Sequence, residues 1–133
     1  MPKRLLGKCF CGAVHYTVAD EFAYAMNCHC SRCRRTTGSA FKPMAGIERG
    51  KLAITRGQDD LLIYGTELNN NTLCRLCGSL LYSVVRDGAW VHVAMGNLVD
   101  SPTIRPTHHI FVGSKAPWFT ITDDLPQYEK FAP

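Results

Sequence analysis

The stretch AVHYTVA, residues 13–19, alternates Val14, Tyr16 and Val18 with His15 and Thr17. Apolar side chains at every second position line one face of an extended chain, so the stretch predicts a half-buried β-strand. The same texture recurs outward from it: KLAIT (51–55), LLIYG (61–65), SLLYSVV (79–85), AWVHVAMG (89–96), HHIFVG (108–113) and WFTIT (118–122) are short, apolar or alternating. Gly, Pro, Asn and Asp separate them, which predicts a mostly antiparallel sheet or sandwich. Helical signal is thin. One short helix is expected through SRCRRTT (31–37), ending at Gly38, and a further turn near DDLPQYEKF (123–131). The expected fold is therefore mostly β with little helix, and NNN (69–71) reads as a polar loop.

A chain of 133 residues is the size of one domain, 1–133, and can bury a core without disulfide staples. Its start has a basic tip but no apolar run of signal-peptide length, and no segment approaches the ~20 apolar residues of a membrane span. The expected location is the cytoplasm. In a reducing compartment seven cysteines read as metal ligands or redox groups before they read as disulfides. The formal charge of +4 suggests an acidic partner such as nucleic acid, but seven thiolates around two dications would lower it to about +1. That removes most of the electrostatic case for nucleic acid.

The cysteines flank the strand signals in three groups: Cys9 and Cys11 in KCFCG, Cys28, Cys30 and Cys33 in NCHCSRCRR, and Cys74 and Cys77 in LCRLCG. Short C-x-C and C-x-x-C turns each present two sulfurs, and two such turns complete a closed tetrahedral zinc site. Gly12 and Gly78 follow the second cysteine of each outer pair, as a sharp turn with positive φ would require. Three thiols then remain in the middle. Three protein ligands leave a fourth position for water or substrate, the pattern of catalytic zinc, and a thiolate is a natural fourth ligand for a sulfur-rich ion. Spacing alone leaves the partition open. His29 is an alternative ligand, the central three can borrow a sulfur from either pair, and a C-x-x-C dithiol or a purely structural third knuckle are competing readings.

The motifs GKCFCGAVHYTV, CHCSRCRRTTGSAF, LCRLCGSLL and the tail HIFVGSKAPWFTITDDLPQYEKF, in that order, resemble the glutathione-dependent formaldehyde-activating enzyme family, also called the CENP-V/GFA domain. The resemblance runs through nearly the whole chain. It implies an Mss4-like, zinc-stabilised β scaffold. It also implies that Cys9, Cys11, Cys74 and Cys77 hold a structural zinc and Cys28, Cys30 and Cys33 a catalytic one. The implied activity is that of a carbon–sulfur lyase joining glutathione, or a related thiol, to formaldehyde as S-hydroxymethylglutathione. A zinc-stabilised binding module like the centromere-associated relatives is the first alternative, and a zinc-thiolate storage role the second.

Glutathione carries two carboxylates, so Arg32, Arg34 and Arg35 beside the third cysteine are candidate substrate-binding residues. A solvated basic turn, or hydrogen bonds to metal-bound sulfur, is the plainer account of each. TTGSAF (36–41) offers hydroxyls, though a helix stop followed by a strand start explains it equally. His29 and His92 are candidate proton donors. One of His108 and His109 should face inward as a hydrogen-bonded imidazole. Trp90, Trp118 and Phe119 read as core, with Trp118 a possible pocket wall by resemblance. Leu125, Tyr128 and Phe131 read as a C-terminal cap, with Asp123 and Asp124 as helix-start acids.

Overall fold

A computed structural model describes residues 3–133; the first two residues of the basic tip lie outside the described residues. The chain runs β1 (Arg4–Lys8), β2 (His15–Ala19), β3 (Tyr24–Cys28), α1 (Ser31–Thr37), β4 (Lys42–Glu48), β5 (Leu52–Arg56), β6 (Leu61–Gly65), β7 (Asn70–Cys74), β8 (Leu80–Val85), β9 (Trp90–Ala94) and β10 (His109–Ile110). Three strands form a small sheet in the order β1-β2-β5, and seven form a larger one in the order β10-β3-β4-β9-β8-β7-β6. All pairings are antiparallel except the short parallel β10–β3 pair. No helix of the described residues is long and apolar enough to cross a membrane.

Period-two alternation decides what each face of the large sheet carries. Ala45 and Ile47 of β4, Val91 and Val93 of β9, and Tyr82 and Val84 of β8 turn towards Leu5, Val14, Tyr16 and Val18 of the small sheet or its flank, forming the main core. The intervening residues turn the other way. Met26 and Cys28 of β3 sit opposite Met44 and Lys42 of β4, and Ser83 of β8 sits opposite His92 of β9. That second face, edged by Ile110 and Phe111, holds a smaller cluster of Met26, Cys28, Met44 and Ile110. One sheet thus has an apolar core on one side and a mixed polar and sulfur-bearing floor on the other.

Tyr24, Gly46 and His92 form a row across β3, β4 and β9. The Tyr24 ring lies over Gly46, where a Cβ would come within 2.3 Å of it, and reaches across to place its hydroxyl 2.7 Å from His92 Nε2. Only glycine fits under that ring. Trp90 stacks on Tyr24 with centroids 5.7 Å apart, and the Arg86 guanidinium lies over the Trp90 ring.

Several expectations are corrected. WFTIT contains no strand, and HHIFVG contributes only the two residues of β10 before a 3₁₀ turn over Val112–Ser114. Four strands had no strong alternation to announce them: β1, β3, β4 and β7, the last running through Asn70 and Asn71 of the expected loop. DDLPQYEKF is not helical. It runs as irregular chain beside β10, with His109 N–H donating to Pro126 O, Tyr128 N–H to His109 O and Val112 N–H to Tyr128 O, so backbone pairing wins over helix and covers the sheet edge. Asp123 is a side-chain acceptor there and starts no helix. Trp118 is 71% exposed and lies outside the core, while Phe119 packs against Phe41 and His29.

Candidate metal centres

The two outer cysteine pairs meet although 63 residues separate Cys11 from Cys74. Cys9 and Cys11 flank the turn after β1, and Cys74 and Cys77 the turn after β7. Both turns close on a glycine with positive φ, +81° at Gly12 and +80° at Gly78, a conformation that side chains with a Cβ resist. All four sulfurs lie within 4.8 Å of one another. Cys9 Sγ is 3.7 Å from Cys11 Sγ, which is 3.8 Å from Cys74 Sγ. A tetrahedron with metal–sulfur bonds of about 2.3 Å has sulfur–sulfur edges of about 3.8 Å, so the donor set fits a four-thiolate zinc site. The Ser79 hydroxyl, 3.2 Å from Cys77 Sγ, is the chief cause that draws this thiol down to about 5. Cys11 in the same cluster is pushed up to about 11, so protons alone leave the four thiols unevenly ionised and a cation would even them.

Cys28, Cys30 and Cys33 form the second cluster, again within 4.8 Å. Local structure explains how. Cys28 ends β3, and Cys30 is the N-cap of α1, its sulfur accepting from Cys33 N–H at 3.3 Å. One helical turn therefore brings Cys33 back beside Cys30. Gly38 closes the helix in the left-handed region, where the sequence places its end. With only protons available the three thiols cannot all ionise: Cys33 is pushed up strongly, first by its hydrogen bond with Cys28 and then by burial. A cation relieves that repulsion, so three soft donors without a chain-supplied fourth also fit zinc.

Among the described residues no fourth histidine, cysteine or carboxylate joins this cluster. His29, the alternative ligand, is fully buried and turned elsewhere. The Asp123 carboxylate can only accept, so His109 Nε2–H donates to it at 3.0 Å; His109 Nδ1 then accepts from His29 Nε2–H at 2.8 Å. His29 Nδ1 is left as a buried lone pair with no partner. Burial, followed by the field of His109, lowers His29 to about 4. Of the two adjacent histidines, His109 is the buried one, engaged at both ring nitrogens, and His108 is half-buried with its Nδ1 2.9 Å from Thr107 Oγ1.

The sulfurs open onto a cavity of about 1030 Å³ on the polar face of the large sheet. Arg32 and Arg35 are at its edge, whereas Arg34 Nε–H donates to Ser114 O at 3.1 Å and ties α1 to the C-terminal chain. Trp118 is not among its walls. The walls also include residues the sequence did not single out: Lys42, Met44, Tyr64, Asn71 and Ser83. Lys42 is 5% exposed, and its ammonium donates to Ser83 Oγ at 2.9 Å, which donates to Asn71 Oδ1 at 2.6 Å. Burial lowers the Lys42 pKa, and the three cysteines oppose that. His92 is lowered to about 4 by burial and then by Lys42, so it is neutral near pH 7.

A β-sheet protein with one closed four-cysteine centre and one open three-cysteine centre on a cavity defines a narrow class. A family model described as "Glutathione-dependent formaldehyde-activating enzyme" matches residues 4–114. The chain belongs to that family. It is 29% identical over 128 residues to a Halomonas elongata protein named "Putative glutathione-dependent formaldehyde-activating enzyme", covering 88% of this chain and 80% of that one. It is also similar to a crystal structure of a Rhodobacter sphaeroides protein, with TM-score 0.61 and 31% identity over 74% of this chain and 92% of that one.

Proposed function

We propose that the chain, acting as one domain over 1–133, is a zinc-dependent carbon–sulfur lyase. It would join a thiol, glutathione first among them, to formaldehyde as S-hydroxymethylglutathione in the cytoplasm. The observation that carries this reading is the open centre: Cys28, Cys30 and Cys33 meet at the wall of a roughly 1030 Å³ cavity, and no fourth ligand from the described residues closes it. A zinc ion bound there supplies a Lewis-acidic seat that lowers the pKa of an incoming thiol. In the overall reaction the S–H proton leaves, a sulfur lone pair forms the S–C bond, the C=O π pair moves to oxygen, and oxygen takes up a proton. No oxidant is needed.

The chain's own residues do the binding and shaping. Arg32 and Arg35, exposed at the rim, are cations for the two carboxylates of glutathione. Arg34 contributes by anchoring the helix that carries Cys33. Met26, Met44 and Ile110 form the apolar part of the floor. The Asp123–His109–His29 chain fixes the loop between Cys28 and Cys30, and His29 N–H donates to Ile110 O at 3.0 Å. Neither candidate histidine serves as the acid: His29 has its donor engaged away from the cavity, and His92 is held neutral.

Calorimetric titration of the zinc-loaded protein with reduced glutathione, beside S-methylglutathione, tests the reading. Binding of the thiol with proton release, and much weaker binding of the methylated form, is the expected result. Equal binding of both, or of neither, overturns it.

A further inference from the structure

Lys42 has no obvious place in that account, yet it is among the most unusual residues of the fold. It is buried, it is absent from the ion pairs among the described residues, and its one hydrogen bond goes to a neutral hydroxyl, Ser83 Oγ. A buried ammonium with only a neutral partner is unfavourable unless an anion faces it. Lys42 is the cross-strand neighbour of Cys28, and it lines the same cavity as Cys28, Cys30 and Cys33. It also borders a second opening of about 690 Å³, lined as well by Thr36, Thr37 and Ser39. Lys42 thus shares one cavity with the three sulfurs and is the only charged side chain that lines both openings.

Charge explains what such a residue would do. A dication held by three thiolates carries one net negative charge, and an anionic fourth ligand adds a second in a partly dehydrated site. A neutral fourth ligand adds none. A fixed cation beside the cluster therefore favours the anionic ligand over the neutral one, without touching the reacting atoms.

We propose that Lys42 is the specificity-determining counter-charge of the open centre, making the Cys28–Cys30–Cys33 site select an anionic sulfur ligand over a neutral nitrogen or oxygen ligand. The inference rests on the thiol-binding reading above and assigns its selectivity to a residue outside the ligand set. Ser83 and Asn71 are positioning residues in it, because they hold the ammonium by a directed chain of hydrogen bonds. The arginines are not required, since the selectivity applies to a thiol that has no carboxylate.

The test uses the full chain loaded with cobalt(II) in place of zinc, so that a sulfur entering the open position is read as a charge-transfer absorption. The probes are 2-mercaptoethanol, which binds as an anion and lacks carboxylates, and imidazole, which binds neutral, at one fixed pH. Lys42→Met should weaken mercaptoethanol binding by about tenfold or more and leave imidazole binding unchanged or tighter. Lys42→Arg should restore most of the thiol preference. Lys42→Gln keeps a donor for Ser83 and repeats the measurement if the methionine variant folds poorly. Equal weakening of both ligands would reduce Lys42 to a packing residue and overturn the inference, as would an unchanged ratio. If unaltered protein gains no charge-transfer absorption beyond that of its cysteine ligands on adding mercaptoethanol or glutathione, the thiol-binding reading fails and the inference falls with it; a gain with an unaltered ratio sinks the inference alone.

Discussion

Replacing His109 with alanine separates the buried part of the histidine chain from its exposed end. His109 is 1% exposed, and its ring accepts from His29 and donates to Asp123. His109→Ala leaves the His29 Nε2–H without an acceptor on a ring whose Nδ1 lone pair already lacks a donor. A buried donor left unsatisfied costs about 1–3 kcal/mol. Truncating a buried ring adds a cavity cost of about 2–3 kcal/mol, since Phe41 and His29, which pack against it and against each other, can close the gap only in part. The expected total is about 3–6 kcal/mol, a large share of the roughly 5–15 kcal/mol that holds a domain folded. Asp123→Asn gives a sharply different figure. The Asp123 side chain is 47% exposed, so its hydrogen bond to His109 competes with water and is worth under about 1 kcal/mol, and the asparagine oxygen still accepts from His109. Urea denaturation with excess zinc measures both. Because His29 sits between Cys28 and Cys30, His109→Ala should also speed zinc loss to a chelator from the open centre and leave the closed centre as before. A cost below about 1 kcal/mol for His109→Ala, or one equal to that of Asp123→Asn, would refute the view that the buried hydrogen bond is the stabilising element.

The two centres should respond differently to loss of a single ligand. Cys74→Ser should abolish soluble, folded protein, because the closed centre ties the turn after β1 to the turn after β7 and its metal contributes directly to folding; Cys30→Ser should remain folded with one zinc fewer by metal analysis, and unfolding of that variant would make the open centre structural too. His92 supplies a pH signature. Its folded pKa of about 4 lies below the ordinary 6.5, so between those values the unfolded chain binds the extra proton and stability rises with pH. Its contribution is complete above about pH 6.5, is lost as pH falls to about 4, and amounts to about 3 kcal/mol. Zinc-saturated His92→Gln should therefore show a shallower loss of stability over that window, and parallel curves would reject the assignment.

Alternation is legible where one face of a strand is core and the other is wet, as in β2. Val14, Tyr16 and Val18 alternate with half-buried His15 and Thr17 because β2 packs one side only. β3 and β4 lie in the middle of the large sheet with both faces covered, so their residues are buried almost continuously and alternation disappears. WFTIT had the opposite fault: its residues are of strand type, but the edge at β10 is taken by the chain over 126–130, which pairs with 109–112. Composition describes a segment's preference, and the competition for an edge is settled by the rest of the chain.

The same reasoning separates the legible from the illegible half of the site. Metal ligands must be reactive side chains at short spacing, so cysteines in C-x-C and C-x-x-C turns announce themselves, and the glycines that close those turns carry a conformational signal of their own. Cavity walls obey no such local rule. Lys42, Ser83, Asn71 and His92 come from four strands, and only the antiparallel register brings them onto one face. Lys42 looks like an ordinary polar residue at the start of a strand until Cys28 is found opposite it. A residue selected for its partner across a sheet leaves no trace at a fixed offset along the chain. The face opposite the core is therefore where chain-specific ligand selectivity is to be sought in this fold, because substitutions there alter the cavity without disturbing either cysteine centre.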